Sequence, residues 1–303
     1  MKKILILQGK FGTNQKVFAA QIKEKLLGRV ETTLAKISDL YFIIDQKSMY
    51  IEINGRSIAD YDLVYIRSIG SANSVLASTL AIGLTSLKIK FLDTTWAEEK
   101  PMGSKFTSLV KLSAKTLPIF KTVYLVDYNI EKNKKRIAKE LGLPLIAKEL
   151  STQRGSGVHK ISSLDDFAKL PARNAKGGDT QYLFQEFVDF ETEYRLLVLG
   201  DEAKVWEKKT ITVPGEFRHN VSLGATEEFL DINKIPDGLK TIAVKSAKAL
   251  NLQVAGVDIA ISKDGQRYHL IEVNRGPGFT YDDVLSPEMD EMAKFLEEEA
   301  KKE

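Results

Sequence analysis

The chain reads as an α/β protein divided into lobes, and three observations predict it. The first hundred residues alternate short apolar strands with amphipathic helices, the pattern of a mostly parallel sheet. From Tyr182 the pattern turns strand-rich, with turn residues close together. The 303 residues are long for one simple domain and suit about two or three lobes.

In order, Ile4-Leu5-Ile6-Leu7 is a buried strand ended by Gln8 and Lys10, too short an apolar run for a signal segment. Gly9-Lys10-Phe11-Gly12 matches neither the dinucleotide fingerprint nor the P-loop and reads as a strand-to-helix turn. A helix over 15–27 has Val17, Ile22 and Leu26 among its apolar positions. Strands at 41–44 and 49–53 precede an Asn54-Gly55 turn. Leu63-Val64-Tyr65-Ile66 is a buried strand, followed by a helix over 74–84 and a strand over 89–92. Pro101-Met102-Gly103 marks a boundary. A helix over 105–114 comes next, and Pro118 opens a strand that includes Val123-Tyr124-Leu125-Val126. A helix over 133–141 is capped by Gly142. Residues 144–149 form a strand holding Lys148, and the polar, glycine-rich run 151–157 follows. Strands at 182–187, 194–199 and 203–208 come next, the last two joined at Gly200-Asp201. A helix over 239–250 precedes paired strands at 252–261 and 267–273, joined by Lys263-Asp264-Gly265. An amphipathic helix over 287–302 ends the chain.

Composition excludes several classes. There are no cysteines, so disulfides, thiolate metal sites and a cysteine nucleophile are ruled out, and a cytoplasmic setting fits. A net charge of +3 gives no electrostatic case for nucleic acid or a membrane surface. No stretch is long enough to span a bilayer, and the three histidines have no metal spacing.

The most informative segments are Gly256-Val257-Asp258-Ile259 and Ile271-Glu272-Val273-Asn274. If their strands pair antiparallel, Asp258, Glu272 and Asn274 share a face, because residues two apart on a strand point the same way. Three oxygen ligands on a rigid sheet suit a hard cation, and magnesium favours carboxylates together with nucleotide phosphates. The plainer reading is a hairpin with a polar rim. The carboxylates' place in apolar runs, where an unpaired charge is costly, and the glycine-rich loop 274–278 argue for the site. Lys148, in an apolar strand before a glycine-rich loop, is either a phosphate contact beneath a lid or a lysine snorkelling at an edge. Arg67 follows a buried strand and is either a carboxylate contact in the cleft or a partner in a structural salt bridge.

The order Lys148, glycine-rich loop, Gln185-Glu186-Phe187-Val188, Glu193-Tyr194-Arg195, Phe217-Arg218-His219-Asn220, Gly256-Val257-Asp258, Glu272-Val273-Asn274, Pro277-Gly278 resembles the ATP-grasp superfamily. It is most similar to the RimK-type carboxylate–amine (glutamate) ligases, specifically from about 105 to 279. The resemblance implies an ATP-grasp fold of α+β lobes at 101–303, preceded by a pre-ATP-grasp α/β lobe at 1–100. Within the former, 101–181 would be a smaller lobe with the lid and 182–303 a lobe with the magnesium site. It implies that Lys105, Lys148, Gly155, Ser156 and Gly157 contact phosphates. Gln185, Glu186, Phe187 and Val188 would form the adenine hinge, and Glu193 would contact ribose. Arg218 and Asn220 would lie at the reacting phosphate, and Asp258, Glu272 and Asn274 would hold magnesium, with manganese as an alternative. Arg154 in the lid and Arg275-Gly276 before Pro277 depart from the family pattern on the acceptor side.

The implied activity is ATP-dependent amide formation through an acylphosphate. Its partners would be ATP, a carboxylate and an amine from an amino acid, peptide or protein tail, with homo-oligomerisation left open. A kinase on the same fold and a non-catalytic nucleotide-binding protein are the rival readings. The first predicts a stable phosphorylated product; under the second the metal trio would be free to lose at least one member, and its being intact argues against that reading.

Overall fold

The structure is a computed structural model that describes residues 1–302 except 47, 99–103, 151, 153–156, 173–176, 191, 212–224 and 264. In the N-terminal lobe, β1 (Lys2–Gln8), α1 (Thr13–Lys25), β2 (Val30–Lys36), β3 (Leu40–Ile44), β4 (Met49–Ile53), β5 (Arg56–Ser57), β6 (Leu63–Ile66), α2 (Ser74–Ser86) and β7 (Phe91–Leu92) follow in order. The parallel sheet runs β2-β1-β6-β7. Its central strands are apolar on both faces, as parallel strands covered on both sides must be. Ile4, Ile6, Leu63 and Tyr65 pack on one side, and Leu5, Leu7, Val64 and Ile66 on the other. The side group β3-β4-β5 turns at Asn54 and Gly55, both at positive φ (50° and 75°), as a two-residue hairpin turn requires.

Two expectations for this lobe change. The strand over 89–92 shrinks to Phe91–Leu92, because the Ile89 N–H donates to the Leu84 carbonyl at the end of α2. β2, absent from the sequence reading, is an edge strand in which only Val30 and Ala35 are buried, so its alternation is faint.

Gly9 ends β1 against the backbone of loop 67–70. A Cβ there would lie 2.0 Å from the Ile69 carbonyl oxygen. Gly9→Ala must push the two loops apart, and such overpacking costs about 1–3 kcal/mol. A lowered urea midpoint is the expected result; an unchanged one would mean the loops yield freely.

The rest of the chain carries α3 (Lys105–Ser113), β8 (Thr122–Val126), α4 (Ile130–Leu141), β9 (Leu145–Glu149), β10 (Val158–Ile161), β11 (Gln181–Glu186), β12 (Thr192–Leu199), β13 (Glu202–Ile211), β14 (Ala225–Leu230), α5 (Asp237–Ala249), β15 (Val254–Ile261), β16 (Tyr268–Arg275) and α6 (Glu288–Lys301). A four-stranded antiparallel sheet, β10-β9-β11-β8, packs Leu145, Ala147, Tyr182 and Phe184 against Ile130 and Ile137 of α4. Alternation then leaves Lys148, Leu183 and Gln185 on the opposite face. β11 pairs with β8 and β9 and so belongs to this sheet.

The second sheet, β14-β13-β12-β15-β16, is antiparallel. Leu196, Val198, Val257 and Ile259 pack on Leu239, Ala243 and Ala247 of α5. Leu112 of α3 joins the same core, which ties the start of this region to the larger sheet. α6 closes the other side, with Met289, Met292 and Leu296 packed against Ile4, Ile6 and Phe18. The N-terminal lobe therefore shares a core with the C-terminal sheet. Among the described residues, no helix is long and apolar enough to cross a membrane.

Candidate active site

The bulge between β15 and β16 sets the site. Asp258 lies opposite Glu272 and Gly256 opposite Asn274, while Ile259 pairs with Leu270. The extra residue, Ile271, lets Leu270 and Val273 both face the α5 core while Glu272 and Asn274 stay with Asp258 on the other face. Bulges beside active sites commonly re-aim side chains in this way.

Across four strands, that face carries Glu207, Arg195, Asp258 and Glu272 in directly opposed positions. Arg195 grips Asp258 with two donors, Nε to Oδ1 at 2.8 Å and a terminal nitrogen to Oδ2 at 2.9 Å. Asn274 Nδ2 donates to the same Oδ2 at 2.9 Å. Lys209, buried on β13, has its Nζ 3.5 Å from Asp258, 3.7 Å from Glu193 and 3.8 Å from Glu207. Burial alone would raise the Asp258 carboxyl; the Arg195 and Lys209 charges outweigh it and hold Asp258 below the usual carboxylate range. Glu193 is pushed up, by burial first and then by the charge of Asp258. Glu207 is pushed up to about 8 by burial.

A cavity of about 210 Å³ lies between the two sheets and α3, lined by Lys105, Lys148, Leu183, Gln185, Glu272 and Asn274 among others. Leu109, Leu112 and Leu270 give it apolar wall. Lys105 Nζ is 3.8 Å from Glu272. Burial, then the neighbouring Lys105 charge, pulls Lys148 down to about 8. Lys105, Lys148 and Arg275 outnumber Glu272, the one carboxylate residue in the described lining, so the cleft wall keeps net positive charge and suits anions.

The other expected residues divide. Gln185 is buried and donates to Thr122 Oγ1 at 3.0 Å. The Glu186 N–H donates to the Lys121 carbonyl at 3.3 Å, and its carboxylate accepts from the Lys121 N–H, so those groups fasten β8 to β11. Phe187 carries the Lys160 ammonium over its ring at 4.3 Å. Val188 follows in the open segment after β11. Glu193 sits with Lys209 and Asp258 on the cleft face of the larger sheet. Gly157 lies where a Cβ would come within 2.1 Å of Thr152 Oγ1, so only glycine fits. Gly155, Ser156, Arg218 and Asn220 lie outside the described residues.

The donor chemistry of the trio fits magnesium. Asp258 already accepts two contacts on each oxygen, from Arg195 twice, Asn274 and Lys209, so it joins an ion's shell only as one of those donors gives way. Glu272 is partly open to the cleft, and Asn274 offers an amide oxygen once its nitrogen is committed to Asp258. Among the described residues, no three His, Cys, Asp or Glu side chains group closely enough to hold a metal alone.

Two sheets facing each other across a cationic cleft, beside a parallel α/β lobe, define the ATP-grasp class. A model of the RimK-like ATP-grasp domain matches residues 103–289. The chain belongs to that family, and it is an ATP-dependent carboxylate–amine ligase. It is similar to a probable alpha-L-glutamate ligase of Coxiella burnetii, 29% identical over 273 residues, covering 88% of this chain and 86% of the relative. Another probable alpha-L-glutamate ligase, from Trichodesmium erythraeum, is 34% identical over 139 residues, 45% of this chain and 44% of that one. Among solved structures, the ATP-grasp ligase PsnB, complexed with a phosphomimetic variant of a minimal precursor, Mg and ADP, superposes with TM-score 0.72 at 17% identity, covering 98% of each chain. The macrocyclase MdnC bound with precursor peptide MdnA, from Microcystis aeruginosa, gives 0.66 at 15% identity, covering 99% of this chain and 100% of that one. These two likenesses show the fold.

The sequence reading gave no role to Arg195, Lys209 or Glu207. A signal was there: Glu193 faces Lys209 and Arg195 faces Glu207 across the hairpin turned at Gly200-Asp201. Opposite charges across a hairpin are cross-strand partners, but an irregularity at Leu197/Val198 shifts the register by one, so a plain count from the turn pairs Arg195 with Trp206 instead.

Proposed function

We propose that the cleft binds Mg-ATP and that the protein joins a carboxylate to an amine of an amino acid or peptide through an acylphosphate. The observation that carries this reading is the meeting of Lys105, Lys148, Glu272 and Asn274 on one cavity wall, with Asp258 held ionised beside them. The relatives' names and the peptide-bound neighbours support the substrate class.

The substrate carboxylate oxygen attacks the γ-phosphorus, and the bond to the β-phosphate oxygen breaks to release ADP. The amine nitrogen then attacks the acyl carbon, phosphate departs with the acyl oxygen, and the nitrogen loses a proton to base or water. Lys105 and Lys148 hold phosphate oxygens and offset charge that spreads during transfer. Asp258, Glu272 and Asn274 would hold a magnesium ion, which would supply Lewis-acid polarisation of the phosphates. Arg195 and Lys209 keep Asp258 ionised and oriented. Arg218 and Asn220 are assigned to the transferring phosphoryl group through the family pattern. No nucleophilic side chain is required, because positioning and charge do the chemistry.

The test is a screen of amino acids and peptides for ATP-dependent phosphate release, with mass spectrometry of the products. A product equal to both substrates less one water is expected. A stable phosphorylated product would establish a kinase instead.

Nucleotide affinity should depend on pH through Lys148. Its pKa of about 8 lies below the ordinary lysine value because of burial and Lys105. Bound phosphate favours the charged form and raises that pKa, so binding is strongest where the free protein is already protonated. ADP affinity should be flat below about pH 7 and weaken as pH rises through 8, by up to about tenfold per unit. Titration calorimetry reads this directly. Lys148→Met should weaken binding and flatten the profile; an unaltered slope in that variant would assign the titration elsewhere.

A further inference from the structure

The N-terminal sheet ends in buried polar groups that the chemistry above does not use. Gln8 closes β1 and Arg67 follows β6, with the Arg67 N–H donating to the Leu7 carbonyl at 2.9 Å. Tyr65 lies two residues before Arg67 and pairs with Ile6, so Gln8, Tyr65 and Arg67 project on one face of the sheet. Gln8 and Tyr65 are 0% exposed and Arg67 is 5% exposed. Among the described residues, both amide atoms of Gln8, the Tyr65 hydroxyl and Arg67 Nε have no hydrogen-bond partner. Three neighbouring side chains with unmet donors or acceptors are a rare arrangement in a protein interior and call for an occupant.

Charge says which occupant. Arg67 donates to the Pro277 carbonyl at 2.7 Å and to Ser68 Oγ at 3.2 Å. Its guanidinium lies 4.2 Å from the Phe18 ring centre and 4.9 Å from that of Phe279. Among the described residues it forms no ion pair. Asp93 acts on it only at longer range and spends Oδ1 on the Gln253 and Val254 N–H groups. A buried guanidinium without an anion is costly. A carboxylate meets the unused Nε–H, the phenol O–H and the Gln8 amide N–H together.

Position supports the same choice. Ligands of parallel sheets bind beyond the carboxyl ends of the strands, and Gln8 and Arg67 stand there. The loop they meet is the one that follows Asn274. A Cβ on Gly276 would lie 3.5 Å from Ser68 N and 3.7 Å from an Arg67 terminal nitrogen. Tyr281, farther along that loop, hydrogen-bonds Arg67 through its side chain.

We propose that Arg67, Gln8 and Tyr65 form a subsite for a substrate carboxylate, between the N-terminal sheet and loop 276–281. It rests on the ligase reading and adds the chemistry of the acceptor side. Arg67 supplies the charge, while Tyr65 and Gln8 fix orientation.

The test measures binding of acetate, L-glutamate and L-glutamate α-amide by titration calorimetry and by melting temperature. It compares the wild type with Arg67→Lys and Tyr65→Phe, and titrates ADP with magnesium alongside. Acetate and L-glutamate should bind the wild type, with affinity falling at least about tenfold in Arg67→Lys, where a point charge replaces the planar fork. Tyr65→Phe keeps the ring volume, so its melting temperature should hold or rise while carboxylate affinity falls several-fold. Loss of response to the α-amide places the α-carboxylate in the subsite; a retained response places the side-chain carboxylate there. ADP binding should be unchanged in both variants. Its absence from the wild type would overturn the ligase reading itself. If ADP binds but no carboxylate does, or if carboxylate affinity is the same in all three proteins, the subsite is overturned and the orphaned groups serve internal water.

Discussion

Asp258→Ala is expected to cost about 3–5 kcal/mol of stability as well as turnover. Asp258 is the buried anion between two cations, the partly buried Arg195 at 2.8 Å and the buried Lys209 at 3.5 Å. Removing it leaves both charges in the interior of the larger sheet, with the pushed-up Glu193 and Glu207 carboxyls as their remaining partners there. The pH dependence has a definite sign. Because the folded Asp258 pKa is depressed, its contribution is fully present above the ordinary carboxylate pKa and is lost as pH falls through the folded value. Urea unfolding followed by circular dichroism measures the loss. Adding Arg195→Met to Asp258→Ala should recover part of the stability and none of the activity, since it removes one stranded charge. A single variant that unfolds at the wild-type midpoint would show that Arg195 and Lys209 find other partners at no cost, and that the charge row does not support the sheet.

The fold was legible where one period dominates. The buried strands at Ile4 and Leu63, the Gly142 cap and the last hairpin follow from apolar runs and turn residues, and the structure has them. β2 and β10 were not legible, because edge strands bury few residues and carry polar ones such as His159 and Lys160. The shared face of Asp258, Glu272 and Asn274 was legible because spacing along a strand fixes side. The bulge that keeps Leu270 in the core without turning Glu272 away was not, since a one-residue insertion leaves no mark in composition. Arg67 shows a different limit. Both readings of it assumed a carboxylate partner, yet its described contacts are a carbonyl, two hydroxyls and two aromatic rings. A sequence tells that an arginine follows a buried strand; it does not tell which groups arrive from 210 residues away.

Glu272→Gln is expected to separate catalysis from stability, in contrast with Asp258. Glu272 shares the sheet face with Asp258, but its side chain is 36% exposed and its charged neighbour, Lys105, stands off at 3.8 Å. Such a pair contributes about 0–1 kcal/mol, so the unfolding midpoint should barely move. Turnover should fall about a thousandfold, equivalent to ~4 kcal/mol of transition-state stabilisation, because a neutral amide is a poor magnesium ligand beside a polyphosphate. Nucleotide binding gives the sharper reading. Without metal, the Glu272 carboxylate repels the phosphates, so ADP should bind the variant in EDTA at least as tightly as it binds the wild type. With magnesium, wild-type affinity should rise and that of the variant should not, because the ion that offsets the repulsion has lost its exposed carboxylate. Calorimetric titrations with and without magnesium give all four values. If magnesium strengthens ADP binding equally in both proteins, Glu272 is no metal ligand, and its place on the wall beside Lys105 and Lys148 would have to be explained by charge balance with those lysines alone.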